Sequence, residues 1–188
     1  MLKHISIGTL AACALAAVQV QAKDPPAAPM QAVSAPAELS QYDFFLGNWN
    51  CAGKTFASPA GPEHATTAVV HAAKAVGGRW VHVTYDENKS ATNPMPYHVG
   101  VYWGYDPARK LYVQACVDVA GGYCQQTGSG WSGDTFVFEG PGWSDGKQQT
   151  FRDTFTKKGT ATLTHSGSLL GENKQWVQLD EETCNKTK

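Results

Sequence analysis

Turn-forming residues recur along this chain at intervals too short for a three-turn helix, and that spacing constrains the fold more than any other feature. Ser58-Pro59-Ala60-Gly61-Pro62, Gly77-Gly78, Asn93-Pro94, Asp106-Pro107, Gly121-Gly122, Ser132-Gly133-Asp134, Asp145-Gly146, Lys158-Gly159 and Gly171-Glu172-Asn173 punctuate the sequence. Glycine admits positive φ and proline removes a backbone donor, so each cluster ends a regular element. Between them the apolar residues alternate. Val81, Val83 and Tyr85 interleave with Trp80, His82 and Thr84, and Val99, Val101 and Trp103 interleave with His98, Gly100 and Tyr102. Period two is the signature of a strand with one buried face. About ten short strands joined by hairpins predict an all-β domain over residues 41–188, and closure into an antiparallel up-and-down barrel removes its edges. The apolar run Asp43-Phe44-Phe45-Leu46 is expected to plug or cover one barrel end.

The first residues have a different character. Met1-Leu2-Lys3-His4 is a short basic region, residues 5–20 are almost wholly apolar, and Val20-Gln21-Ala22 offers small residues at a cleavage site. Residues 1–22 therefore read as a secretory signal peptide cut near Ala22, with a periplasmic or secreted product and no retained membrane span. Leu10-Ala11-Ala12-Cys13 also fits a lipoprotein pattern, which would place a lipid anchor on Cys13; the continued apolar run after it favours the soluble form. Residues 23–40, rich in Ala and Pro, read as a flexible linker that cannot bury enough surface to order itself.

Removing the leader leaves Cys51, Cys116, Cys124 and Cys184, an even set that in an oxidising compartment points to disulfides. Of the three pairings, Cys116 with Cys124 across a Gly121-Gly122 hairpin is favoured, which joins Cys51 to Cys184. No Cys-x-x-Cys pair or His-Glu-x-x-His helix is present, so no metal site is expected. A formal net charge of −1 lacks the basic surface that phosphate neutralisation requires, which excludes nucleic acid as a partner.

Several blocks occur in order: Leu46-Gly47-Asn48-Trp49 with Cys51, Gly61-Pro62-Glu63-His64-Ala65-Thr66, Gly100-Val101-Tyr102-Trp103-Gly104-Tyr105-Asp106-Pro107, Phe151-Arg152-Asp153-Thr154, and Asp180-Glu181-Glu182-Thr183-Cys184. Together they resemble the bacterial family known as domain of unknown function 1579 over most of residues 42–184. The resemblance implies a calycin-like barrel, similar to lipocalins, fatty-acid-binding proteins and nitrobindins, and supplies no catalytic residue or ligand. The Gly47-x-Trp49 step resembles the lipocalin opening motif, whose tryptophan closes the barrel floor beneath a basic residue. That implies a structural role for Trp49, with Arg152 as its cation–π partner.

Function is read from what the barrel would enclose. Its aromatic residues suit a pocket for a small, partly apolar or amphipathic molecule bound without covalent chemistry. The residues expected in the lumen are Trp80, His82, Trp103, Arg152 and His165, with Arg152 or a histidine fixing a polar head. Two alternatives stand beside this reading. Glu63-His64, or Asp153 with His165, could pair a carboxylate with an imidazole base, although no nucleophile elbow is present; Gly130-Trp131-Ser132-Gly133 is followed by Asp134. No cofactor is demanded by any motif, and a lumenal histidine is the one feature compatible with haem, as in nitrobindin-like barrels. An envelope interaction module, with no catalytic residues, is the third reading.

Overall fold

The computed structural model describes residues 34–58 and 61–187. The expected leader, Cys13 and the linker up to residue 33 lie outside them. Among the described residues no helix is long and apolar enough to cross a membrane.

A short 3-10 helix, Ala37–Tyr42, precedes eleven strands: β1 Gly47–Thr55, β2 His64–Ala75, β3 Trp80–Glu87, β4 His98–Asp106, β5 Leu111–Asp118, β6 Tyr123–Gly128, β7 Trp131–Ser132, β8 Thr135–Ser144, β9 Lys147–Lys157, β10 Thr162–Leu170 and β11 Trp176–Lys186. Ten of them form the closed antiparallel barrel that the turn spacing predicts. Neighbours in sequence are neighbours in space, β1 pairs with β11, and β6 pairs with β8 to complete the ring, leaving β7 as a two-residue flap on β8. At the β6–β8 closure the backbones come close enough that a side chain on Gly140 would lie 2.7 Å from the Gln125 carbonyl oxygen, so this position requires glycine.

Both expected disulfides are present. Cys116 and Cys124 face each other across the β5–β6 hairpin, and Cys51 and Cys184 face each other where the first strand meets the last. The second closes a long loop, its ends 133 positions apart in the sequence.

The ordered domain starts earlier than the expected linker boundary at residue 40. Leu39 and Tyr42 of the 3-10 helix are buried, because their side chains supply the plug expected of the next four residues. Tyr42 and Phe45 enter one end of the barrel and meet Trp49, Trp103, Tyr112, Phe136, Phe138 and Phe155 in one cluster. Tyr42, Phe136 and Phe138 are wholly buried. Phe45 lies 4.9 Å from the Trp103 ring centre and 5.4 Å from Phe155, both edge to face, which is the favoured contact of aromatic quadrupoles. Each buried side chain of this kind contributes roughly 1.5–3 kcal/mol. The polar atoms carried into this floor are satisfied: the Tyr42 hydroxyl donates to the Gly104 carbonyl at 3.0 Å and Trp49 Nε1 donates to the Phe45 carbonyl at 2.7 Å.

The cation over Trp49 is not Arg152. Lys186 Nζ lies 5.0 Å from the Trp49 ring and donates to the Phe44 carbonyl at 3.0 Å. The reason is register. Trp49 pairs directly with Lys186 of β11, whereas Arg152 alternates with the inward residues Phe151 and Asp153 and so emerges on the outer surface. There it ion-pairs with Glu139 and lies 3.9 Å above the Trp176 ring.

Candidate functional site

Away from the aromatic floor the same inward registers carry polar residues. On β9, Asp153 stands two residues from Phe155, and both face the same side as their partners Phe138 and Phe136. On β10, His165 is paired with Phe155 on one side and Glu182 on the other, and Gly167 is paired with Asp153 and Asp180. On β11, Asp180 and Glu182 lead by period two to the buried Cys184. Strand pairing thus converts three separate sequence positions into one wall: Asp153, His165, and Asp180 with Glu182.

The side chains are connected. His165 Nε2 is 3.4 Å from Asp153 and its Nδ1 is 3.3 Å from Asp180. Asp180 also accepts the Gly167 N–H at 3.0 Å. Gly167 allows this because any Cβ there would lie 2.4 Å from an Asp180 oxygen. Asp153 accepts from Gln114 Nε2 at 2.7 Å, and Gln114 in turn donates to Gln126 and accepts from Trp103 Nε1 at 2.7 Å. Glu182 accepts from the Tyr85 hydroxyl at 2.5 Å and from Thr66 at 3.3 Å. Next along β3 from Tyr85, Glu87 accepts from Asn93 and from the Tyr97 N–H, while its second oxygen is buried without a hydrogen-bond partner, 3.7 Å from His64 Nε2.

These environments set the charges. Burial disfavours an imidazolium at His165, but the carboxylates of Asp153 and Asp180, one against each ring nitrogen, outweigh it and hold its pKa well above the usual value. Burial alone would raise the Asp180 pKa; His165 and the Gly167 N–H overcome it and lower it. For Glu182 burial dominates and raises the pKa, against the opposing Tyr85 and His165. Burial and then the nearby Glu182 charge raise the Tyr85 phenol, keeping it a donor.

The wall is inward yet reachable by solvent. The side chains of His165, Asp153 and Asp180 retain 21%, 25% and 33% exposure although their registers point into the barrel. The floor rings have none to spare. Solvent contact at the inward registers is therefore confined to the polar side.

Of the residues expected in the lumen, Trp103 and His165 face inward. Trp103 belongs to the packed floor, with only its indole N–H reaching the polar network. Trp80, His82 and Arg152 are on the outer face. On β3 it is Val81 and Val83 that are buried, which sends Trp80 over Gly104 and stacks His82 on the exposed Tyr102, 4.6 Å between ring centres. The suggested Glu63–His64 pair is replaced by Glu87–His64, since Glu63 is exposed and precedes the strand. Reasoning from residue type passed over Asp180, Glu182, Tyr85, Glu87, Gln114 and Gln126. One signal was available: Asp180, Glu182 and Cys184 alternate, so burial of the cysteine carries the two carboxylates inward with it.

Metal and haem meet different obstacles at these residues. Cys51, Glu182 and Cys184 lie close together, but the cysteines are joined and offer no thiolate to a metal. Each nitrogen of His165 faces a carboxylate oxygen, 3.4 Å from Asp153 and 3.3 Å from Asp180, so this ring does not present a nitrogen to an iron as it stands.

Residues 39–186 match the family described as "Protein of unknown function (DUF1579)". The crystal structure of Rv2717c from M. tuberculosis is similar, with a TM-score of 0.64 at 14% identity, covering 82% of this chain and 100% of that one. That likeness speaks for the fold alone. Nothing among the curated proteins matches.

Proposed function

Since the chain belongs to the DUF1579 family, which carries no assigned ligand, we propose from the site itself that the barrel binds a small, partly apolar molecule non-covalently, its polar head on the Asp153–His165–Asp180–Glu182 wall. The carrying observation is the exposure retained by the inward His165, Asp153 and Asp180, beside a floor that is packed solid. A few placed polar groups at one side of an enclosed space are what a small-molecule site requires. Phe155, against the His165 ring at 4.8 Å, and Tyr85 supply apolar surface beside the head group. The doubly engaged His165 favours binding over base catalysis, because proton abstraction would need a ring nitrogen free of its carboxylates. The expected leader at residues 1–22 and the two disulfides support a secreted or periplasmic location.

Native mass spectrometry of the full chain purified from its producing cell tests this reading. The expected result is an adduct of small-molecule mass that denaturation releases and that G167L, which would push a side chain into Asp180, abolishes. Wild-type protein that is free of adduct and takes up no probe molecule would overturn it. The same spectra check processing: a mature chain beginning at Lys23 supports the soluble form, and a lipid mass on Cys13 overturns it.

A further inference from the structure

The charge inside the barrel is unevenly arranged, and this narrows the ligand. Among the described residues, Asp153, Asp180, Glu182 and Glu87 face inward on β9, β11 and β3, Asp118 holds the same inward register on β5, where it accepts from the Tyr97 hydroxyl, and the imidazoles within ion-pair range of the first four are His165 and His64. The floor lysines are committed elsewhere. Lys157 sits 3.7 Å over the Trp131 ring and Lys186 is held by Trp49 and the Phe44 carbonyl. Arg152, the guanidinium that would have received an acidic head, is outside with Glu139.

A cluster of acids alone would prove little, since carboxylates often satisfy one another through donors. Here Glu87 adds an independent sign. The residue is 5% exposed, stands two positions from Tyr85 on the inward face of β3, and keeps one carboxylate oxygen without a hydrogen-bond donor, its nearest cationic neighbour being His64 Nε2 at 3.7 Å. A buried acceptor in that state is costly unless a donor reaches it. The hydrogen-bond capacity left over along this wall is therefore acceptor capacity: Glu87, and the solvent-reachable oxygens of Asp153 and Asp180. An incoming carboxylate or phosphate would meet negative charge, whereas an ammonium or amidinium would bring further donors to carboxylates that have lone pairs to spare.

We propose that the lumenal ligand is a cation, a small molecule bearing a protonated amine or amidine whose nitrogen donates to Asp180 and Asp153, with its apolar part against Tyr85 and Phe155. This rests on the lumenal binding reading above and adds to it the sign of the charge. Acidic lipids of the kind that a lumenal arginine would hold are thereby disfavoured.

Isothermal titration of the full chain with n-octylamine, n-octanol and n-octanoate at neutral pH tests the proposal, because the three probes share one tail and differ in head charge. The expected order is amine tightest, by about tenfold or more over the alcohol, with the carboxylate weakest. D153N and D180N should each weaken the amine by about tenfold while leaving the alcohol little changed. Asparagine keeps an acceptor at each site, and a thermal melt establishes that each variant is folded; if D180N is not, D153N alone carries the test. Octanol or octanoate binding as tightly as octylamine overturns the cation while leaving lumenal binding intact. Amine binding unaffected by the folded variants places it elsewhere and also overturns the proposal. Failure of all three probes to bind, with no adduct in the native spectra, overturns both readings together.

Discussion

The two halves of this barrel's interior are built from the same registers and carry opposite chemistry. At the floor, Tyr42, Phe45, Trp103, Phe136 and Phe138 fill the cross-section and leave each other almost no exposed surface. Beyond them, on the same faces of β9, β10 and β11, stand Asp153, His165, Asp180 and Glu182, paired and partly wet. Trp103 spans both, with its ring in the floor and its N–H on Gln114. Cys51 and Cys184 stand between them along β1 and β11, flanked by Trp49 and Lys186 on one side and by Gly53 and Glu182 on the other. The difference teaches where stability and recognition are separated. Close-packed rings stabilise through dispersion and exclusion of water, whereas a buried ionic wall contributes little net stability and much specificity.

That separation can be broken experimentally, and the largest effect should come from the boundary. Replacing Cys51 and Cys184 together by alanine frees a very long loop and should cost about 5 kcal/mol in the chain-entropy view, against about 2–3 kcal/mol for the short Cys116–Cys124 loop. Urea unfolding of the two double variants compares them, and equal losses would show that the long staple closes no more than a local contact. Phe136→Ala should cost about 3–5 kcal/mol by opening a cavity in the floor, with the preference among charged probes unchanged. A loss of binding selectivity in folded Phe136→Ala protein would show that floor and wall are one site.

The wall should reveal itself through pH more than through total stability. His165 has a raised folded pKa, so its contribution is complete below the ordinary imidazole value of 6.5 and is lost as pH rises through the folded value. Asp180 has a lowered folded pKa, so its contribution is present above 3.8 and is lost as pH falls through the folded value. Stability of the wild type should therefore decline on the alkaline side of neutrality, and H165Q should lack that decline. Chemical denaturation across a pH series measures it; parallel curves for the two proteins would remove His165 from the account. Lys186→Met should cost about 1 kcal/mol through the lost cation–π and carbonyl contacts at the floor. The smallest effect belongs to Arg152→Ala, about 0.5 kcal/mol, as expected of an exposed ion pair. A large loss of probe binding in that last variant would return Arg152 to the lumen.

Much of the architecture was legible because it is written in local chemistry. Gly121-Gly122 and Asp145-Gly146 can only be turns, and alternation such as Val81, Val83, Tyr85 can only be a strand with one covered face. The pairing of cysteines followed from the hairpin and the parity of the count. The site was less legible. Alternation groups Trp80 with His82 and Val81 with Val83, yet it does not say which group is inside. Aromatic size points to the first pair, and packing chooses the second, because Val81 pairs with Trp103 and Val83 with Val101 on the buried face while Trp80 finds cover over the bare backbone of Gly104. Arg152 and Asp153 pose the same choice, and the charge that has partners inside, the carboxylate with Gln114 and His165, is the one that enters.

By itself, then, the sequence determined the strands, their order around the ring, the two staples and the covering of one end, all of which depend on residues near one another in the chain or on a small number of cysteines. Only the tertiary structure decided the sign of each strand, the lysine over Trp49 and the meeting of Asp153, His165, Asp180 and Glu182. Those depend on register between strands, and a shift of one residue would turn every one of these side chains to the opposite face.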